Sequence, residues 1–264
     1  MTNLAPELKL VKYNQLNVIE ITHPKCTAKI ALQGAHLFSW QPIHTKQDVF
    51  WLSEIEPFTQ GNAIRGGVPI CYPWFGAGLE GDKSPSHGYA RISEWQLVSH
   101  HVDQDKVIIE IGLNDKAKVV MELGEICQIS FTHLSTQEAQ VALHSYFNVG
   151  DIAQIEVQGL PTTCFNSLTK TQQAVVSPRK IAENVDCIYS TQSHSINVIQ
   201  DDRFQRQIEI EHNNATDIVL WNPWHKATSG MSEIGYQTMV CVETARVHKL
   251  LKQNELVSVT VRVK

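Results

Sequence analysis

Apolar residues in this chain alternate with polar ones far more often than they recur at helical spacing. The plainest case closes the sequence, where Val257, Val259, Val261 and Val263 interleave with Ser258, Thr260, Arg262 and Lys264. One face of that segment is apolar and the other polar, the period of a half-buried strand. Shorter alternations or β-branched runs occupy Leu16 to Thr22, Val107 to Leu113, Ile126 to Leu134, Val141 to Phe147, Ile208 to Glu211 and Met239 to Glu243. No window of about a dozen residues carries an apolar stripe at helical spacing, and helix start and stop signals are sparse. The pattern predicts an all-β chain of many short strands, separated by Gly, Pro, Asn and Asp clusters and packed as a large antiparallel β-sandwich. No low-complexity linker or internal repeat divides it, so residues 1–264 are expected to form a single domain.

Composition narrows the function classes. A hydrophobic content of 42% is enough to build a substantial core. A formal charge of −5 and a pI near 6.2 argue against a surface-wide attraction to nucleic acid or anionic lipid. Any anionic ligand must then be held by a few placed cations. The N-terminus MTNLAPELKL has no cationic stretch leading into an apolar run, and nowhere do about eighteen apolar residues follow one another. The expectation is a cytoplasmic monomer without nucleic-acid or membrane partners. Six cysteines (Cys26, Cys71, Cys127, Cys164, Cys187, Cys241) lack any C-x-x-C spacing, and the twelve histidines include no H-E-x-x-H. No metal and no cofactor are expected.

Five segments bear on candidate chemistry. Gly76, Gly78 and Gly81 in FGAGLEGD satisfy G-x-G-x-x-G, but Pro73 precedes and Asp82-Lys83-Ser84-Pro85 follows, which is loop chemistry and not strand-then-helix. The stretch AIRGGVPICYPWFG sets Arg65, a planar fork of donors suited to an oxyanion, beside Gly66 and Gly67, which permit close approach to the main chain. SPSHGYAR adds His87 and Arg91 around Gly88. Two arginines suit a phosphate dianion better than one. In ALHSYFNVGD, Ala142, His144 and Tyr146 share a strand face, and in MVCVETA so do Met239, Cys241 and Glu243. A lone strand histidine is more often structural than catalytic, and a lone strand-end glutamate is more often a salt bridge.

Taken in order, AIRGGVPICYPWFG, SPSHGYAR, ALHSYFNVGD, WNPW and CVETA closely resemble the D-hexose-6-phosphate mutarotases, or glucose-6-phosphate 1-epimerases, of the galactose-mutarotase-like superfamily. ALQGAHLFSWQP and the final strand extend the resemblance over nearly the whole chain. It implies a β-sandwich with a sugar site on the concave face of one sheet, and cofactor-free interconversion of the α and β anomers of a hexose 6-phosphate. Carried over by position, it makes His144 and Glu243 the catalytic pair, Arg65 and Arg91 the phosphate ligands, His87 a residue beside the sugar and Asp186 a ligand of sugar hydroxyls. Two departures stand out: relatives usually carry a basic residue where this chain has Cys187, and this chain is about a dozen residues shorter between Leu113 and Ile126.

Those residue types suit the reaction. Opening an aldose ring requires one group to take the proton of the C1 hydroxyl and another to protonate the ring oxygen. Glu243 is the expected base and His144 the expected acid, the carboxylate ionised and the imidazole protonated at the outset. Two rival readings remain open at this point: an epimerase for unphosphorylated sugars, which would make Arg65 and Arg91 structural, and a non-catalytic carbohydrate-binding β-sandwich.

Overall fold

The alternation becomes antiparallel pairing. The computed structural model describes residues 4–264, which form three sheets of four, eight and eight strands. The N-terminal sheet is a meander of Leu8–Tyr13, Leu16–His23, Cys26–Ala31 and His36–Pro42. A second sheet, here the terminal-strand sheet, runs in the order Ile155–Gln158, His194–Asp201, Arg206–Asn213, Leu256–Val263, Cys127–His133, Ala117–Gly124, Lys106–Leu113 and Gln96–Val102. The third, the long-strand sheet, is built on the thirteen-residue Met239–Leu251. On one side of that strand lie Asp217–Asn222, Val185–Ser190, Thr163–Asn166 and Thr171–Ala174, and on the other Ala139–Leu143, Ile70–Cys71 and the short Tyr146–Asn148. Helical structure among the described residues is confined to 3₁₀ turns at Ala90–Ile92, Ile152–Gln154 and Gly235–Thr238.

One large apolar cluster draws on all three sheets, through residues such as Ile21, Ile30, Val119, Phe131, Val259, Leu143, Leu220 and Val242. Each buried side chain of this size stabilises the fold by about 1.5–3 kcal/mol. Because side chains alternate along a strand, the long-strand sheet sends Leu143, Tyr189, Leu220 and Val242 to this core and leaves the intervening residues for its other face. That second face carries only small apolar patches, one of them comprising Ala142, Ile188, Val219 and Ala245.

Three readings from the sequence are refined here. The segment Val141 to Phe147 forms two strands interrupted at His144 and Ser145, not one. Ala117–Gly124 is a strand that the pattern search passed over, although Ala117, Val119, Met121 and Leu123 alternate with Lys118, Val120 and Glu122 and are buried. It closes a hairpin on Lys106–Leu113 through a turn in which Asn114 adopts φ +48, so the shortened segment is a compact reversal. Gly66 and Gly67 do not clear room for a ligand. A Cβ on Gly66 would lie 2.4 Å from the Trp51 carbonyl oxygen and one on Gly67 2.5 Å from that of Leu37, so the pair lets three backbone segments pack together.

Three histidines, His36, His133 and His212, lie wholly inside. His36 Nε2 donates to the Gly66 carbonyl at 2.7 Å, and His212 Nδ1 meets Thr244 Oγ1 at 2.8 Å. Burial lowers the pKa of His36 to about 4 and that of His212 to about 3. His87, His133 and His144 are also shifted down, whereas Glu243 is shifted up and works in the opposite sense. A histidine with a depressed folded-state pKa binds its proton more readily when unfolded, so its contribution to stability falls as pH drops below the unfolded value of about 6.5. Denaturant unfolding is expected to show stability declining from pH 7 toward about pH 5, by up to roughly 1.4 kcal/mol per pH unit for each of His36 and His212. A stability profile that is flat over that window would contradict neutral burial of these rings.

Candidate active site

Register decides which side chains meet on the second face of the long-strand sheet. Leu143 faces Thr244 before the break in the strand and Tyr146 faces Cys241 after it. The count is conserved across the interruption, so His144 lies opposite Glu243. From the other side Val219 pairs with Glu243, Trp221 with Cys241, and Asp186 with Trp221. A cavity of about 460 Å³ opens above these rows, and His144, Glu243, Asp186, Arg65 and His87 all line it. That volume suits a small-molecule ligand.

His144 Nε2 and Glu243 Oε1 are 3.3 Å apart. The imidazole stacks on Tyr146, with ring centroids 4.8 Å apart and planes 13° from parallel, while its backbone N–H donates to the Pro69 carbonyl. Rotation of the ring is therefore restricted. His144 Nδ1 and Glu243 Oε2 are buried without a protein partner, which is costly unless a ligand completes them. Burial first, then the electrostatic influence of His87, Arg65 and Arg91, holds His144 well below the usual histidine pKa. Burial, aided by the Asp186 carboxylate, holds Glu243 well above the usual carboxylate range. Burial therefore works against the expected imidazolium and carboxylate pair, pushing each group toward its neutral form.

His87 adopts a left-handed backbone, φ +66, an unfavourable conformation for a non-glycine residue. Two hydrogen bonds to Gly76 hold it there: the His87 N–H donates to the Gly76 carbonyl at 2.6 Å, and the Gly76 N–H donates to His87 Nδ1 at 3.1 Å. Because Nδ1 accepts, the neutral ring carries its proton on Nε2. Burial first, then Arg91 and Arg65, lower its pKa to about 3. His87 is a neutral donor with its ring edge-on to His144 at 5.7 Å.

The two arginines part company. Arg65 Nη1 donates to Tyr146 Oη at 2.8 Å and Nε to the Ser229 carbonyl at 2.9 Å, which fixes the guanidinium at the cavity wall. Arg91 Nη2 donates to the Ser86 carbonyl at 2.8 Å, and Arg91 is not among the residues lining the cavity. It influences the site through its field on His87 and His144. Asp186 faces the cavity, its pKa raised by burial and moderated by Ser167 and Lys226.

The sequence model of aldose 1-epimerases matches residues 17–264. The chain belongs to the aldose 1-epimerase family. A provisionally named glucose-6-phosphate 1-epimerase of Haemophilus influenzae is 52% identical over 270 residues, covering 100% of this chain and 98% of the relative. One from Escherichia coli is 36% identical over 259 residues, covering 92% and 87%. The crystal structure of a provisionally named mutarotase from Salmonella typhimurium superposes with a TM-score of 0.92 at 32% identity, covering 100% of this chain and 95% of that one. The β-sandwich expected from the strand pattern is the galactose-mutarotase-like fold of these neighbours.

In this aldose 1-epimerase family member the sequence reading missed three parts of the wall. Trp221 lies on the floor between Asp186 and Cys241, and strand alternation from Val219 could have placed it. Asn222, wholly buried, explains the WNPW motif: its Nδ2 donates to the Tyr236 and Met239 carbonyls and its Oδ1 accepts from the Trp224 N–H, pinning both ends of the following loop. That loop brings Lys226 and Thr228 to the cavity, and no periodic signal marks them. Among the described residues no three His, Cys, Asp or Glu side chains gather as a metal site, and no helix is long and apolar enough to cross a membrane.

The tautomer of His87 can be checked directly. Long-range ¹H–¹⁵N correlation spectra should show its Nδ1 as an unprotonated acceptor from neutral pH down to about pH 4. Protonation near the ordinary histidine value would contradict the Gly76 contact.

Proposed function

We propose that this protein interconverts the α and β anomers of a hexose 6-phosphate, with glucose 6-phosphate as the reference substrate. One observation carries the reading: two proton-handling groups stand 3.3 Å apart, each with a second buried polar atom unpartnered, on the wall of a sugar-sized cavity. The ring oxygen and the anomeric hydroxyl sit on one carbon, so a single proton donor and a single acceptor must act within a hydrogen bond of each other. His144 and Glu243 meet that condition.

Substrate binding supplies the charge state that the chemistry needs. A phosphate dianion at Arg65 offsets the positive field that disfavours imidazolium, and the proton passes from Glu243 to His144. Glu243 then takes the proton of the C1 hydroxyl as His144 delivers one to the ring oxygen, the bond from C1 to the ring oxygen breaks, and an open-chain aldehyde results. Rotation about the bond between C1 and C2 presents the other carbonyl face. Closure reverses the two roles, so the pair again holds one proton. The neutral Nε2–H of His87 donates to a sugar oxygen, Asp186 accepts from sugar hydroxyls, Arg65 grips the phosphate, and Arg91 adds positive charge at the same pole. The six cysteines are free and buried, which suits a reducing cytoplasm.

The deciding experiment is NMR exchange spectroscopy on glucose 6-phosphate and glucose side by side. Faster exchange of the phosphorylated sugar supports the assignment, and equal efficiency on both would remove the phosphate from it. His144→Asn and Glu243→Gln are each expected to lower kcat by about 10²- to 10⁴-fold, the scale of general acid or base catalysis, while still binding glucose 6-phosphate in a calorimetric titration. A variant that keeps wild-type turnover would remove that residue from the mechanism. Efficiency on glucose 6-phosphate should also fall below about pH 6, where a phosphate monoester takes up its second proton, and a matching fall on glucose would refer that limb to the protein instead.

A further inference from the structure

The loop after Asp217–Asn222 is the part of the cavity wall without an assigned role. It presents Lys226, Ala227 and Thr228 to the same cavity that His144, Glu243 and Asp186 line. It is also seated on Arg65, which donates to the Ser229 carbonyl and whose Cβ would lie 3.3 Å from a Cβ placed on Gly230. Arg65 and Lys226 therefore belong to one structural unit, a guanidinium and an ammonium carried on adjoining pieces of wall.

Lys226 is exposed, and its hydrogen bonds are made by its main chain: the N–H donates to the Pro223 carbonyl at 3.0 Å and the carbonyl accepts from Thr228 Oγ1 at 3.0 Å. The ammonium is left for a ligand. Among the residues lining the cavity the cations are Arg65 and Lys226 and the carboxyls are Asp186 and Glu243. Burial pushes the Glu243 carboxyl toward its neutral form, which shifts the balance of the lining toward positive charge and suits an anion. Arg91, assigned a phosphate role from its sequence context, donates from Nη2 to the Ser86 carbonyl, while its buried Nε has no protein partner.

We propose that Lys226 is a further direct ligand of the substrate's phosphate, acting with Arg65 at the junction of loop and wall. This rests on the hexose 6-phosphate reading and specifies how it selects its substrate. The two cations divide the work. Arg65 is pre-oriented by Tyr146 and Ser229 and offers a fixed fork, whereas lysine is a point charge on a flexible stem that can close on the phosphate from the solvent side. The rival role for Lys226 is to pair with Asp186, whose ionisation it already favours.

Lys226→Met and Lys226→Arg separate these roles. Loss of one charge-assisted hydrogen bond predicts that Lys226→Met raises KM for glucose 6-phosphate by roughly ten- to hundred-fold. The effect should fall on KM more than on kcat and should spare exchange of glucose, with Lys226→Arg restoring most of the affinity. An unchanged KM, or equal losses on glucose and glucose 6-phosphate as expected of a partner for Asp186, would overturn the proposal. Calorimetric titration of wild type and Lys226→Met with glucose 6-phosphate needs no turnover. Weaker binding by the variant supports the assignment and equal binding refutes it, even if the wild type fails to accelerate anomer exchange and the epimerase reading is the one that falls.

Discussion

The register between Met239–Leu251 and the broken strand beside it is the constraint on which the site depends. Side-chain period in a sheet is two residues, so a slip of one position would send Glu243 into the apolar core and bring Val242 to the cavity. Apolar residues on the core side, Leu143, Phe147, Val240 and Val242, make such a slip prohibitive. The same packing that stabilises the fold thereby fixes the two proton-handling groups 3.3 Å apart. Interruption of the strand at His144 and Ser145 leaves that count intact and frees the His144 N–H to bond the Pro69 carbonyl.

Burial then sets the charge. A carboxylate and an imidazolium placed in a poorly solvated hollow would each lose hydration, so burial pushes both groups toward their neutral forms. The unpartnered Nδ1 of His144 and Oε2 of Glu243 are polar groups in a place where proteins ordinarily satisfy them. Their cost to the fold is offset by the large core beneath. A ligand bearing several hydroxyls and an anionic end repairs both deficits, so affinity and catalytic readiness arise from the same atoms.

Precision and selectivity are carried by different parts of the structure. The long-strand sheet supplies Glu243 and Asp186 from hydrogen-bonded strands and His144 from the break between two strands, tied to Pro69 and stacked on Tyr146, which suits groups that must hold a proton-transfer distance. Loops supply Arg65, His87 and Lys226, and each is tied by a few named contacts: Arg65 to Tyr146 and Ser229, His87 to Gly76, and the Lys226 loop through Asn222. Loops tolerate substitution better than strands do, so the groups that choose the substrate can change without disturbing those that transform it.

Local pattern alone determined a good deal. The period-two alternation in segments such as Val257 to Lys264 fixed the all-β class, because a strand with one apolar face has to bury it, and the loop residues around Gly76, Gly78 and Gly81 excluded a nucleotide motif. His144 and Glu243 were legible as strand residues on a particular face, and their joint role came from the order of motifs along the chain. What the sequence could not decide were properties of distance between remote segments. Gly66 and Gly67 serve backbone packing because Trp51 and Leu37 happen to pass there. Arg91 donates to the Ser86 carbonyl, and Lys226 reaches the cavity on a loop with no periodicity. Glu243 is pushed toward its protonated form because desolvation, which depends on everything packed around a group, outweighs the attraction of its one visible partner. Periodicity is written residue by residue along the chain, whereas burial and electrostatic field exist only once the sheets have closed around the site.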